Sequence, residues 1–152
     1  MALNLLAPKE RLITVMQGLA TSPAVTVITG VPESLPARVS AYITLGPIIP
    51  LRGSLGLQKS RVEYLVTFAY RVAGNEGAAE DAILTIVPLF MAALLEERKT
   101  RLAGTVVSLG EDNAEGAPVV FSRASSPEYF PLAGQEFRLY PGIVPTIQQE
   151  PY

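Results

Sequence analysis

Between Arg61 and Leu109 the hydrophobic period of the chain changes twice. Val62, Tyr64, Val66, Phe68, Tyr70 and Val72 alternate with Glu63, Leu65, Thr67, Ala69 and Arg71. That is the period-two pattern of a strand, with β-branched and aromatic residues on one face. Gly74-Asn75 breaks it, and a helical pattern runs from Glu76 to Lys99, with Asn75 as N-cap. Glu76, Glu80 and Asp81 sit at the positive end of that helix dipole, and Arg98, Lys99 and Arg101 at the negative end. Ile83, Leu84, Ile86, Val87, Phe90, Met91, Leu94 and Leu95 fill about half of the circumference, while Leu89, Ala92 and Ala93 fall outside that half. Only Thr85 gives the middle of the helix polar surface. A helix apolar nearly all round is buried from more than one side, so a neighbouring subunit is expected opposite its own sheet. Pro88 removes the bond to the carbonyl of Leu84 and should kink or split the helix. The chain then turns through Ala103-Gly104 into a strand expected over Gly104 to Leu109.

The flanking segments are shorter. Pro8 to Ala20 reads as a helix, with Leu12, Ile13, Val15, Met16, Leu19 and Ala20 apolar and Lys9, Glu10 and Gln17 elsewhere. Thr21-Ser22-Pro23 ends it. Ala24 to Thr29 is a short strand, Gly30 to Pro36 a loop, and Arg38 to Leu45 a strand with Val39, Ala41, Ile43 and Leu45 on one face. Short strands follow at Val119 to Phe121, Tyr129 to Leu132 and Glu136 to Tyr140, the last two joined by a turn that includes Gly134-Gln135. Pro141-Gly142 should interrupt the last run, which resumes at Ile143 to Ile147, and Gln148 to Tyr152 reads as a polar tail. These elements predict a single domain over 1–152, α/β in the α+β sense. It has a mixed or antiparallel β-sheet, with an N-terminal helix and one long helix packed on one face.

Gly46 to Ser60 does not fit this scheme. Pro47, Pro50, Gly53 and Gly56 argue against a regular central strand. Yet a solvated loop has no use for Ile48, Ile49, Leu51, Leu55 and Leu57. Either these side chains fold back on the core, or they dock on another chain as an extended arm, the reading favoured here. Arg52, Lys59 and Arg61 lie in or beside the segment; three scattered bases are ordinarily a solvated surface.

Composition narrows the function. The chain has 152 residues, 49% hydrophobic and 17% charged, which is apolar for a soluble monomer and suits a subunit with an interface. Its 12 Gly and 13 Pro imply many shaped turns. A net charge of -2 argues against a protein built to grip phosphates. Cysteine and histidine are both absent, which removes disulfides, Cys/His zinc sites, thiol nucleophiles and His-dependent triads. No signal peptide is expected from Met1 to Arg11, and the run Ala82 to Leu95 falls short of the roughly twenty residues of a membrane span. Glu80-Asp81 and Glu96-Glu97 are helix neighbours that do not face each other, so they make poor acid–base pairs. Gly53-Ser54-Leu55-Gly56 lacks the Lys and Ser/Thr of a phosphate loop. Ser125-Ser126 has no nucleophile-elbow setting. Glu111, Asp112 and Glu115 in the turn Gly110 to Gly116 do not match an EF-hand, and a solvated turn is expected there. No enzyme, metal or cofactor is expected.

The order of elements resembles the tail-terminator (tail-completion) proteins of long-tailed bacteriophages. The likeness is carried by Val62 to Val72 (VEYLVTFAYRV), by the helix from Glu76-Gly77-Ala78-Ala79-Glu80-Asp81 to Leu95, by Leu102-Ala103-Gly104-Thr105-Val106, and by Phe137-Arg138-Leu139-Tyr140-Pro141-Gly142. It extends from the first helix to the last strand and is one of spacing and character, without a catalytic signature. The resemblance implies a structural virion protein at the head–tail junction, assembled in the host cytoplasm. It implies a homo-hexameric ring that ends the tail tube, bound by a tail-tube protein and by a head-completion or connector protein. DNA would pass through the lumen without sequence-specific binding, and no membrane is involved. The subunit or partner contacts expected are Ile48, Ile49, Leu51, Leu55, Leu57 and Leu89, with Arg52, Lys59 and Arg61 facing the lumen. The alternatives are another ring protein of the same neck (a head-completion or connector subunit) or a small peptide-binding module that uses the loop Gly46–Ser60.

Overall fold

The computed structural model describes residues 3–19, 25–28, 39–51, 59–71, 76–110, 120–121, 128–132 and 135–149. Its elements are α1 (Leu6–Gln17), β1 (Thr26–Ile28), β2 (Val39–Leu51), β3 (Lys59–Arg71), α2 (Glu76–Lys99), β4 (Ser108–Leu109), β5 (Val120–Phe121), β6 (Glu128–Leu132) and β7 (Gln135–Gln149). The architecture is α+β around a mixed sheet. Strand order is β1-β2-β3-β7-β4, with β5 and β6 also paired to β7. Among the described strands β1 and β2 run parallel, and the other pairings are antiparallel.

The strand expected at Val62 to Val72 begins earlier, at Lys59, and pairs with β7 from Lys59↔Gln149 to Arg71↔Phe137. Its alternation holds: Val62, Tyr64, Val66, Phe68 and Tyr70 are all buried. Directly opposite residues in an antiparallel pair share a face. Ala41 opposite Phe68, Ile43 opposite Val66 and Val144 opposite Tyr64 therefore extend one apolar surface across β2, β3 and β7. Leu12 and Met16 of α1 and Ile86, Phe90 and Leu94 of α2 belong to the same core. The Phe68 and Phe90 rings meet edge to face, with centroids 5.4 Å apart and planes at 76°, a geometry worth about 0.5–1.5 kcal/mol beyond area burial. On the other face Ala69 and Phe137 form a smaller cluster with Ile28, Tyr42 and Leu139.

Both helices have local supports. The Asn4 side chain accepts a hydrogen bond from the Ala7 N–H at 3.1 Å, so it caps α1. Pro8 lies in the first turn, where its missing N–H is not needed. Between the helices Arg11 makes a two-pronged contact, Nε to Glu97 Oε2 at 3.0 Å and Nη2 to Glu97 Oε1 at 2.6 Å. The hydrogen bond to Glu97, and then its charge, raise the Arg11 pKa further above its ordinary value.

Several expectations are corrected. Gly46 to Leu51 is strand, not loop: β2 continues to Leu51 and pairs Ile48↔Val62, Ile49↔Arg61, Pro50↔Ser60 and Leu51↔Lys59. A bulge between Leu45 and Ile48 absorbs Gly46-Pro47. A Cβ at Gly46 would stand 3.0 Å from the Glu63 carbonyl oxygen, so glycine is what allows this close crossing. Past Tyr42 no described strand lies outside β2, and an edge strand needs only alternate N–H groups to bond inward, which accommodates Pro50.

Nor does Pro141-Gly142 break the last strand, since β7 is continuous to Gln149. The carbonyls of Pro145 and Ile147 accept from Gly110 and Val107, both at 2.8 Å, so these odd positions bond away from β3. By the same period Pro141 also directs its nitrogen away from β3, at a position paired with no described residue of β5 or β6, and the long β3 ladder loses nothing. Gln148 is not part of a polar tail but is buried.

The strand expected at Gly104 to Leu109 shrinks to Ser108–Leu109, because Arg101–Gly104 forms a left-handed helical turn with φ of 53°, 51°, 56° and 77°. Each non-glycine residue there costs about 1–2 kcal/mol. Full burial of Leu102 and the Thr105 Oγ1 bond to the Leu102 carbonyl, 2.7 Å, offset that cost. Pro88 does not split α2, which is continuous from Glu76 to Lys99. The loop Gly30 to Pro36, the Asn75 cap, the acidic turn with Glu111, Asp112 and Glu115, and Ser125-Ser126 lie outside the described residues.

Phe90 is fully buried against Phe68. Phe90→Ala should therefore lower unfolding free energy by about 3–5 kcal/mol. A denaturation midpoint equal to that of the parent would remove Phe90 from the core.

Candidate functional site

Two apolar surfaces stand out where the elements meet solvent. The first is the far half of the β2–β3 hairpin. After Ile43, which is buried, Leu45 is 49% exposed, Ile48 42% and Ile49 44%; Pro47 and Pro50 are also exposed and Leu51 is half-buried. Ile48 shares a face with Val62 and Ile49 shares the opposite face with Arg61, so both sides of the edge strand are apolar. Lys59, opposite Leu51, is exposed. Arg61 is ion-paired with Glu63 two residues on, on the same face of β3. Arg52, Leu55 and Leu57 lie outside the described residues.

The second surface is on α2. Leu89, expected on its outer side, is 38% exposed, but Leu84 at 62% and Leu95 at 49% are more so, and Met91 stands at 37%. The sequence placed Leu84, Met91 and Leu95 in the apolar half. Among the described residues of α2, Ile86, Phe90 and Leu94 are buried in the core cluster and Ala82, Val87 and Ala93 pack against it half-buried, which leaves Leu84, Met91 and Leu95 of the apolar half outside. The signal for the second stripe was in the chain: Leu84, Pro88, Met91 and Leu95 are spaced four, three and four.

A polar network missed by the sequence reading lies beside the hairpin, at the same end of the sheet, where Thr146 is opposite Val62 and Val62 opposite Ile48. Tyr64 donates its phenol hydrogen to the Leu5 carbonyl at 2.9 Å and accepts from Gln148 Nε2 at 3.0 Å. Gln148 also donates to Thr146 Oγ1, 3.2 Å, and Thr146 donates to the Val62 carbonyl, 2.9 Å. Continuing the period from Val144 puts Thr146 and Gln148 on the core face, which was the available clue. A cleft of about 390 Å³ opens beside Gln148, lined by Asn4, Ala7, Gly104 to Val107 and Gln149. Among these described residues none is charged, Gln148 is bonded to two partners and the Thr105 hydroxyl donates to the Leu102 carbonyl. Among the described residues no group of three or more acidic side chains is placed to hold a metal ion, and no helix is long and apolar enough to cross a membrane.

Burial pushes the Tyr64 phenol above its ordinary value of 10.0, and the hydrogen bond from Gln148 opposes part of that shift. The folded chain thus holds this proton above the pH at which the unfolded chain releases it, so the contribution to stability is intact below about pH 10 and falls as pH rises further. Tyr64→Phe should cost about 0.5–1.5 kcal/mol at neutral pH by removing the phenol's bonds to the Leu5 carbonyl and to Gln148. The gap between variant and parent should narrow above pH 10 in urea titrations; a gap constant to pH 11 would contradict the coupling.

No family model matches the chain, and no curated protein matches it.

Proposed function

We propose that this chain is a structural ring subunit of the tail-terminator kind, which ends a phage tail tube and joins it to the neck while DNA passes through the lumen. The observation that carries the reading is the far half of the β2–β3 hairpin, where Leu45, Ile48 and Ile49 stand exposed on an edge strand. Exposed apolar strand edges invite pairing with other chains. A head-to-tail contact through such an edge closes into a ring when its rotation divides the circle. Six subunits follow from the resemblance and not from the geometry. In this reading α1 and the long α2 form one layer on the face of the sheet that carries Phe68, and the hairpin projects beyond that layer toward the next subunit or the tail tube. Leu89 is a further contact on α2. The net charge of -2 suits a lumen through which DNA slides without being held. The chain acts by assembly, without catalysis.

A peptide-binding module remains the second reading, favoured by the same open edge of β2, which could take one added strand from a peptide. Native mass spectrometry separates the two: a ring supports the first, a monomer the second. Ile48→Asp together with Ile49→Asp should abolish the ring and leave the circular dichroism of the subunit unchanged, since both side chains are exposed. A ring that persists in this variant would remove the hairpin from the interface. A parent chain that stays monomeric at high concentration, even with tail tubes present, would overturn the tail-terminator reading.

A further inference from the structure

Of the two apolar surfaces, the stripe on α2 carries information about its own occupant. Leu84, Pro88, Met91 and Leu95 are all exposed and repeat at the four–three–four spacing of a helix–helix seam. We propose that α2 packs antiparallel against α2 of a second copy of this chain, about a two-fold axis between Pro88 and Met91.

The charges flanking the stripe select that partner and that direction. Asp81 and Lys99 are both exposed and lie eighteen residues apart in the helix, about five full turns at 3.6 residues per turn. They therefore project from the same flank of the stripe, one at each end. In an antiparallel pair like flanks face each other. Leu84 then meets Leu95 of the second copy, and Asp81 meets Lys99 of the second copy at both ends of the seam. A parallel pair would bring opposite flanks together, setting each Asp81 level with the acidic first turns of its partner and each Lys99 level with the basic last turn. The helix dipoles favour the same choice, since each acidic N-terminal end meets a basic C-terminal end. Lys99 bonds Glu96 of its own helix at 3.1 Å, and both side chains are more than two-thirds exposed. Such a surface pair is weak, so exchanging it for a contact across the seam costs little. The two-fold contact on α2 and the head-to-tail contact on the hairpin use different surfaces, and each stands if the other fails. Pairing keeps the stripe out of water in subunits that have not yet assembled.

The chain contains no cysteine, so single cysteines report the geometry without background. Leu84→Cys and Leu95→Cys are made separately in the full chain, both at exposed positions that leave the core untouched. On mild oxidation an equimolar mixture should give a covalent 84–95 dimer at least tenfold in excess over either variant alone. Linking of each variant to itself would mean a parallel seam and overturn the proposal, as would no linking in any combination. As a second measurement, Asp81→Lys and Lys99→Asp should each weaken pairing about tenfold by sedimentation, and the double exchange should restore it. A double variant no better than the singles would overturn the charge argument. If the stripe serves a different protein, the cross-links fail and the unlinked chain sediments without α2-dependent pairing. A ring that forms without the cross-link leaves the ring reading intact and removes this one. A cross-linked chain that never exceeds a dimer does the reverse.

Discussion

Val62, Tyr64, Val66, Phe68 and Tyr70 set five buried side chains on one face of β3, and the neighbouring elements are placed by what they must cover. That face is wider than one strand. Ala41 and Ile43 of β2 and Val144 of β7 extend it in register, and Leu12, Met16, Ile86, Phe90 and Leu94 close over it. Because side chains alternate along a strand, a slip of one residue in β3 would turn the whole set to the opposite face. The long ladder with β7 and the hairpin with β2 hold the register against such a slip. The two prolines of β7 are tolerated because they direct their missing donors away from this ladder.

The core face ends in polar chemistry. Tyr64, Thr146 and Gln148 continue the same row of positions, yet each finds a partner, so burial leaves no open donor among them. The network ties the residue before α1 to the two central strands. It joins the Arg11–Glu97 contact between α1 and α2 in fixing where the first helix lies. Both are directional contacts at the edges of an apolar cluster that is itself non-directional.

The same economy leaves surface uncovered. A helix with apolar residues around most of its circumference meets a sheet along one stripe, and the remainder faces water. An edge strand that continues past its outer neighbour exposes both of its faces. Both surfaces lie open in the single chain.

The sequence by itself determined the local elements whose period is strong. The alternation of Val62 to Tyr70 and the bounds of α2 at Glu76 and Lys99 were legible, because burial of a periodic apolar face needs no information from distant residues. Four features were decided only by tertiary structure. Pro47 and Pro50 look like strand breakers until the strand is known to lie at an edge. Pro141 looks like a terminator until the direction of its nitrogen is known. Leu84 and Leu95 look buried until the width of the sheet contact is fixed. Gln148 looks like tail until β7 is seen to run on through it. In each case the deciding quantity is which neighbour stands on which side of the residue, and single-chain periodicity does not encode that.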